Sequence, residues 1–134
     1  MSQRYMLDTN MVSHLLRGHQ DVMSHVETVP MASLCISAIT EGELLFGLAK
    51  RPAATRLQQL VQEFLRRVDV LPWDSTAAAS YGQTRAALVS QGKVIAPLDL
   101  LIAAHAQSAD AILVTNDQAF RQVEGLLRED WTIQ

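Results

Sequence analysis

Four short apolar runs, each followed or preceded by a longer helical pattern, constrain this chain more than any other feature. The runs are Tyr5-Met6-Leu7, Ser33-Leu34-Cys35-Ile36, Val68-Asp69-Val70-Leu71 and Ala111-Ile112-Leu113-Val114. They are too short for helices and read as buried strands. Between them, Leu57, Leu60, Val61, Phe64, Leu65 and Val68 recur at i, i+3, i+4, i+7, i+8 and i+11, one continuous helical stripe. Further helices are expected from Thr9 to about Arg17, from about Ala38 to Lys50 with Pro52 marking its end, and from the caps Asp74-Ser75-Thr76 to Gly92. Pro97 suits the first turn of another, continuing to about Ser108. Trp131-Thr132-Ile133 reads as a last edge strand. Strand-then-helix alternation implies βαβ units with helices on both faces of a parallel sheet. The expectation is a three-layer α/β/α domain with a short, mostly parallel sheet of four or five strands. There is no repeat, low-complexity tract or Gly/Ser/Pro-rich linker, so residues 1–134 are expected to form a single domain.

Composition narrows the function. With 49% hydrophobic and 19% charged residues the chain is an ordinary globular mix. Eleven Lys and Arg against 14 Asp and Glu give a net charge of -3, which excludes a polycation that coats nucleic acid by charge alone. One cysteine, Cys35, excludes an internal disulfide framework and a zinc site built on several thiolates. Asp8 interrupts the N-terminus where a signal peptide needs its apolar stretch, and no apolar run is long enough to span a membrane. A cytoplasmic protein without membrane partners is the expectation.

In open parallel sheets, sites form just beyond the carboxyl ends of strands. Asp8 follows the first apolar run, and Asp117 lies just past the last, in Thr115-Asn116-Asp117. Glu43 falls on the helix after the second run, with Ile39, Phe46 and Gly47 as its row neighbours. Asp99 lies two residues after Pro97, in a helix whose apolar row is Leu98, Leu101, Ile102 and His105. Taken singly, Asp8, Asp99 and Asp117 read as helix N-terminal residues worth roughly 0.5–1 kcal/mol each. Glu43 reads either as a stripe-edge surface residue or as a carboxylate in need of a partner. Taken together, four carboxylates at equivalent strand ends would repel and raise one another's pKa unless cations neutralise them. Oxygen-only ligands suit Mg²⁺ or Mn²⁺, ions that activate water and stabilise an in-line attack on a phosphodiester.

Competing chemistries find less support. His14, His19, His25 and His105 form no metal-ligand pair at i, i+4 with an accompanying acid, and His105 continues an apolar row as a core residue. Cys35 lies inside an apolar strand, a poor position for a nucleophile. The glycines are scattered and form no phosphate loop. A receiver-type signalling module needs an acidic pair at the first strand and a lysine after the last, and Leu7-Asp8 and Val114-Thr115 supply neither. A phosphatase with an Asp nucleophile needs Asp-x-Asp, against Asp8-Thr9-Asn10 here. Arg17, Lys50, Arg51, Arg56, Arg66, Arg67, Arg85 and Lys93 could hold RNA phosphates or simply form solvated helix faces. The pattern does not choose among them.

The wording around the acids resembles that of PIN-domain nucleases. Met6-Leu7-Asp8-Thr9-Asn10 is similar to their opening block, and Ile36-Ser37-Ala38-Ile39-Thr40 with Glu43-Leu44 and Gly47 to their second. Pro97-Leu98-Asp99-Leu100-Leu101-Ile102-Ala103-Ala104-His105-Ala106 resembles the third, and Leu113-Val114-Thr115-Asn116-Asp117 with Phe120 the fourth. In order, spacing and length the chain resembles the VapC-type toxins of bacterial toxin–antitoxin pairs. Many relatives have Gly at the place of Ala96 and a second acid at the place of Ala119. The resemblance implies a single PIN domain and a Mg²⁺- or Mn²⁺-dependent endoribonuclease acting on structured RNA, tRNA or ribosomal RNA. It assigns Asp8, Glu43, Asp99 and Asp117 to the catalytic, metal-binding acidic site, with Asn10 and Thr115 as supporting residues. It also implies a VapB-type antitoxin, a homodimer, and operator DNA reached only through the antitoxin. The alternative is a catalytically inactive PIN scaffold serving as an antitoxin-bound co-repressor.

Overall fold

The computed structural model describes residues 3–133, so residues 1, 2 and 134 of the expected domain lie outside it. Five strands make one sheet: β1 (Arg4–Leu7), β2 (Leu34–Ser37), β3 (Asp69–Leu71), β4 (Ala111–Val114) and β5 (Arg128–Glu129). Their order is β3-β2-β1-β4-β5, and every pairing is parallel. The helices are α1 (Thr9–Leu16), α2 (Gln20–Glu27), α3 (Ala38–Ala49), α4 (Thr55–Arg67), α5 (Ser75–Ser90) and α6 (Pro97–Ser108).

Alternation along the strands divides the core into two. Leu7, Ile36 and Val114 face one side and pack with Met11, Val12, Val22, Leu44, Leu48 and Val61 from α1 to α4. Met6, Cys35 and Leu113 face the other and pack with Ile102, Ala103 and Ala106 of α6, against which α5 lies. Small side chains on α6 let it approach both the sheet and α5 closely. The three layers expected from the strand–helix alternation are therefore present, with both sheet faces covered.

Local signals explain the boundaries. Asp74 accepts from the Ala77 amide at 3.1 Å and starts α5; Gly92, at φ +67°, lies two residues past its end. Pro97 opens α6. Two differences from the sequence expectation stand out. Gln20–Glu27 is a separate helix, begun after Gly18 at φ +81°, where the chain turns in a conformation glycine adopts without strain. The last edge strand lies at Arg128–Glu129, not at Trp131–Ile133. Trp131 is instead core, 1% exposed, stacked on His25 at 5.4 Å and tilted against Tyr5 at 5.3 Å, with its Nε1–H donating to Glu129 Oε1 at 2.9 Å. A large aromatic ring gains more from burial there than from sheet-edge pairing. Trp131→Ala is expected to cost about 3–5 kcal/mol in urea denaturation, because it empties a packed site beside β1 and α2. A loss below about 1 kcal/mol would mean that the C-terminal segment is not part of the core.

Candidate active site

The parallel arrangement puts all strand carboxyl ends on one edge, and the chain emerges there into the acids. Asp8 follows β1 immediately, α3 starts directly after β2, and Thr115 follows β4. Leu7 lies beside Val114 in register, which sets Asp8 next to Thr115 and Asp117.

Asp8 is 4% exposed. It caps α1, its Oδ1 accepting from the Met11 amide at 2.8 Å. Burial pushes its pKa from 3.8 up to about 6, and the charges of Asp99 and Asp117 push the same way; the Thr115 hydroxyl and the Met11 amide act against them. Asp117 caps a short 3₁₀ turn, accepting from the Ala119 amide at 2.9 Å, while its own amide donates to Thr115 Oγ1 at 3.0 Å. Helix capping thus holds for Asp8 and Asp117, but it does not account for their being together.

Asp99 and Glu43 have no capping role. Asp99 is half-buried in the first turn of α6, whose cap residue is Ala96, and it makes no side-chain hydrogen bond among the described residues. Burial raises its pKa, and the charges of Asp117 and Glu43 raise it further. Glu43, on the second turn of α3, accepts from the Thr9 hydroxyl at 2.5 Å. Thr9 Oγ1 also lies 3.4 Å from Thr40 Oγ1, so α1 and α3 meet through a threonine pair and one carboxylate. All four acids named from the sequence therefore lie in one electrostatically coupled group. Asn10 is exposed on the first turn of α1 and makes no side-chain hydrogen bond among the described residues.

Residues 5–126 match the PIN domain family. The chain belongs to the PIN-domain family. Within it, similarity runs to the VapC type. The chain is 36% identical over 130 residues to the tRNA(fMet)-specific endonuclease VapC of Shigella flexneri, covering 96% of this chain and 98% of that one. It is 35% identical over 130 residues to ribonuclease VapC2 of Haemophilus influenzae, with the same coverage. In structure it resembles the DNA-bound VapBC of Salmonella typhimurium, with a TM-score of 0.90 and 34% identity over 97% of this chain and 99% of that one. The chain is a VapC-type PIN-domain enzyme.

This PIN domain holds two side chains in the site that sequence reading passed over. Thr9 holds Glu43, and Thr40 in turn is hydrogen-bonded to Thr9; the signals available were Thr9 directly after Asp8 and Thr40 one turn before Glu43 on α3. His105, read as a core histidine, is one: it is 3% exposed and its Nδ1 lies 2.7 Å from Ser37 Oγ. Burial lowers its pKa, against the charge of Asp74 and a backbone hydrogen bond at Pro72, and its contact with Ser37 ties α6 to the start of α3.

The donor set fits a hard divalent cation. It is all oxygen, and the carboxyls of Asp8 and Asp99 are held above their ordinary pKa by burial and by the neighbouring acids. Among the described residues, no three His, Cys, Asp or Glu side chains are grouped to hold an ion by themselves. A Mg²⁺ site does not need such a group, since that ion is usually held by one or two carboxylates and keeps several waters.

Proposed function

We propose that this chain is the toxin of a type II toxin–antitoxin pair, an endoribonuclease that hydrolyses phosphodiester bonds in structured RNA, tRNA foremost. The observation that carries the reading is Asp99: a half-buried carboxylate with no side-chain hydrogen bond among the described residues, set among three other acids. A protein that used these acids only for folding would cap or pair it. In this reading one PIN domain spans residues 1–134, and Asp8, Asp99, Glu43 and Asp117 hold Mg²⁺ or Mn²⁺. When bound, the ion supplies an activated water and neutralises charge at the phosphate. Asp8 is fixed for that task by the Met11 amide and the Thr115 hydroxyl, Glu43 by the Thr9 hydroxyl, and Asp117 by the Ala119 amide. Asn10, exposed at the rim, is a supporting polar contact.

The name of the Shigella relative, a tRNA(fMet)-specific endonuclease, supports tRNA as substrate, and with it a cytoplasmic location. Among the described residues no helix is long and apolar enough to cross a membrane. VapBC neighbours solved with DNA support a VapB-type antitoxin as partner and operator DNA bound through it. An apolar groove between α1, α2 and α4, lined by Leu15, Leu16, Val26, Leu34 and Phe64, suits the antitoxin's C-terminal segment. A homodimer belongs to the same reading, with Phe46, 63% exposed, as surface available for it.

The test is cleavage. Purified toxin incubated with tRNA is expected to cut it in millimolar Mg²⁺ or Mn²⁺ and to be inert in EDTA. Intact tRNA and ribosomal RNA under every metal condition would instead support a non-catalytic, antitoxin-bound co-repressor.

A further inference from the structure

A cleft of about 550 Å³ lies between α1, α3 and α4, with Glu43 of the acidic centre among its lining residues. The hydrogen-bonded pair Thr9 and Glu43 lines it together with the apolar Leu44, Leu48 and Leu57. Two cations line it, Arg17 at the end of α1 and Arg51 beyond α3.

Of the eight cations that the sequence left undecided, these two line the cleft, and four of the others are committed elsewhere. Arg66 and Arg67 are paired with Glu63 at 3.0 and 2.7 Å. Lys50 lies over the Phe46 ring at 4.8 Å, and Arg85 donates to Tyr81 at 2.9 Å. Arg17 makes only a long bond to the Ser13 carbonyl, 3.4 Å, and neither Arg17 nor Arg51 has a carboxylate partner among the described residues. Both are exposed. Two uncommitted guanidiniums with an apolar lining match a nucleotide, whose phosphate is anionic and whose base has an apolar face. In a chain of net charge -3, with an acidic centre that repels RNA in the absence of metal, local cations on one side of the cut also set its orientation.

We infer that this cleft is the RNA subsite next to the scissile phosphate, with Arg17 and Arg51 clamping the backbone phosphate of the neighbouring nucleotide and the apolar lining receiving its base. The inference rests on the endoribonuclease reading and gives it a strand path. Guanidiniums are suited to this because they stay charged and bind two phosphate oxygens at once.

The experiment uses the full chain. Arg17→Ala, Arg51→Ala and the double variant are compared with wild type for cleavage of tRNA, and again in an Asp99→Asn background for RNA binding as a function of salt. Each single change is expected to raise KM about tenfold while kcat moves less than threefold, and to lower the slope of log Kd against log salt by about one. Arg17→Lys should recover part of the affinity. Arg66→Ala, whose guanidinium is already paired with Glu63, serves as the control and should change neither quantity. A double variant with wild-type KM and salt slope overturns the subsite. So does one that keeps RNA binding but loses the antitoxin, since the cleft then belongs to the partner. Wild type that neither binds nor cuts RNA removes the endoribonuclease reading and the subsite together, an outcome distinct from the first two.

Discussion

Replacing Asp99 by Asn is expected to lower RNA cleavage by about a thousandfold or more while leaving the fold intact. The magnitude is that of removing a member of a catalytic unit rather than a peripheral contact. Asn has nearly the same shape, but it lacks the charge that holds a hard cation. Among the described residues Asp99 makes no side-chain hydrogen bond that the change would break, and its charge is opposed by Asp117 and Glu43. The variant should therefore melt at or above the wild-type temperature without metal. That pairing of a lost rate with retained stability separates a functional carboxylate from a structural one. Near-normal cleavage by Asp99→Asn, measured at equal protein concentration on tRNA, would remove Asp99 from the site. A matching collapse in melting temperature would assign it to folding instead.

The second large effect concerns Asp8, pH and metal. The folded pKa of Asp8, about 6, lies above its ordinary 3.8, so the folded state holds its proton more tightly than the unfolded one. The resulting stability is fully present below about pH 3.8 and is lost as pH rises through 6. The shift corresponds to roughly 3 kcal/mol. Metal-free protein should accordingly lose stability on this account between pH 4 and 7, whereas Asp8→Asn should not show that part of the slope. The substitution keeps the cap on α1, since Asn caps a helix as well as Asp does. Millimolar Mn²⁺ should restore the loss at pH 7.5, by about 2.7 kcal/mol where the ion stands at a hundred times its dissociation constant. At pH 5, where Asp8 is protonated, the same addition should do much less. A melting temperature indifferent to Mn²⁺ at both pH values, in wild type and variant alike, would contradict a cation site at Asp8.

The sequence carried the fold where one physical signal dominated. Continuous apolar runs marked β1, β2 and β4, because strands covered on both faces have no polar side to show. The stripe from Leu57 to Val68 marked α4, lying within one residue or two of the observed Thr55–Arg67. It failed where signals compete. α2 has a short apolar row, Val22 and Val26, within mostly polar residues, and tertiary packing on α1 and Trp131 decides it. The apolar Trp131 suggested a strand because burial in a sheet and burial in a core look the same in one dimension. Of the acidic centre, the positions were legible from the strand ends, but Thr9 and Thr40 were not. Hydroxyl partners leave no trace in spacing; only the crossing of α1 with α3 brings Thr9 to Thr40 and Glu43.

The sheet order has a consequence for how such an enzyme comes into being. The central strand, β1, is made first, yet its partner β4 lies more than a hundred residues later, with Arg4 beside Ala111. Asp8 and Asp117 belong to opposite ends of the chain and meet only when that pairing forms. Long-range parallel pairing is slow, since loop closure must precede the contacts that reward it. A growing or truncated polypeptide ending before β4 therefore has Asp8 without Asp117, and β1 without one of its two neighbours. Assembly of the acidic centre thus waits on the β1–β4 pairing, and a folding intermediate that lacks this pairing cannot carry the assembled site.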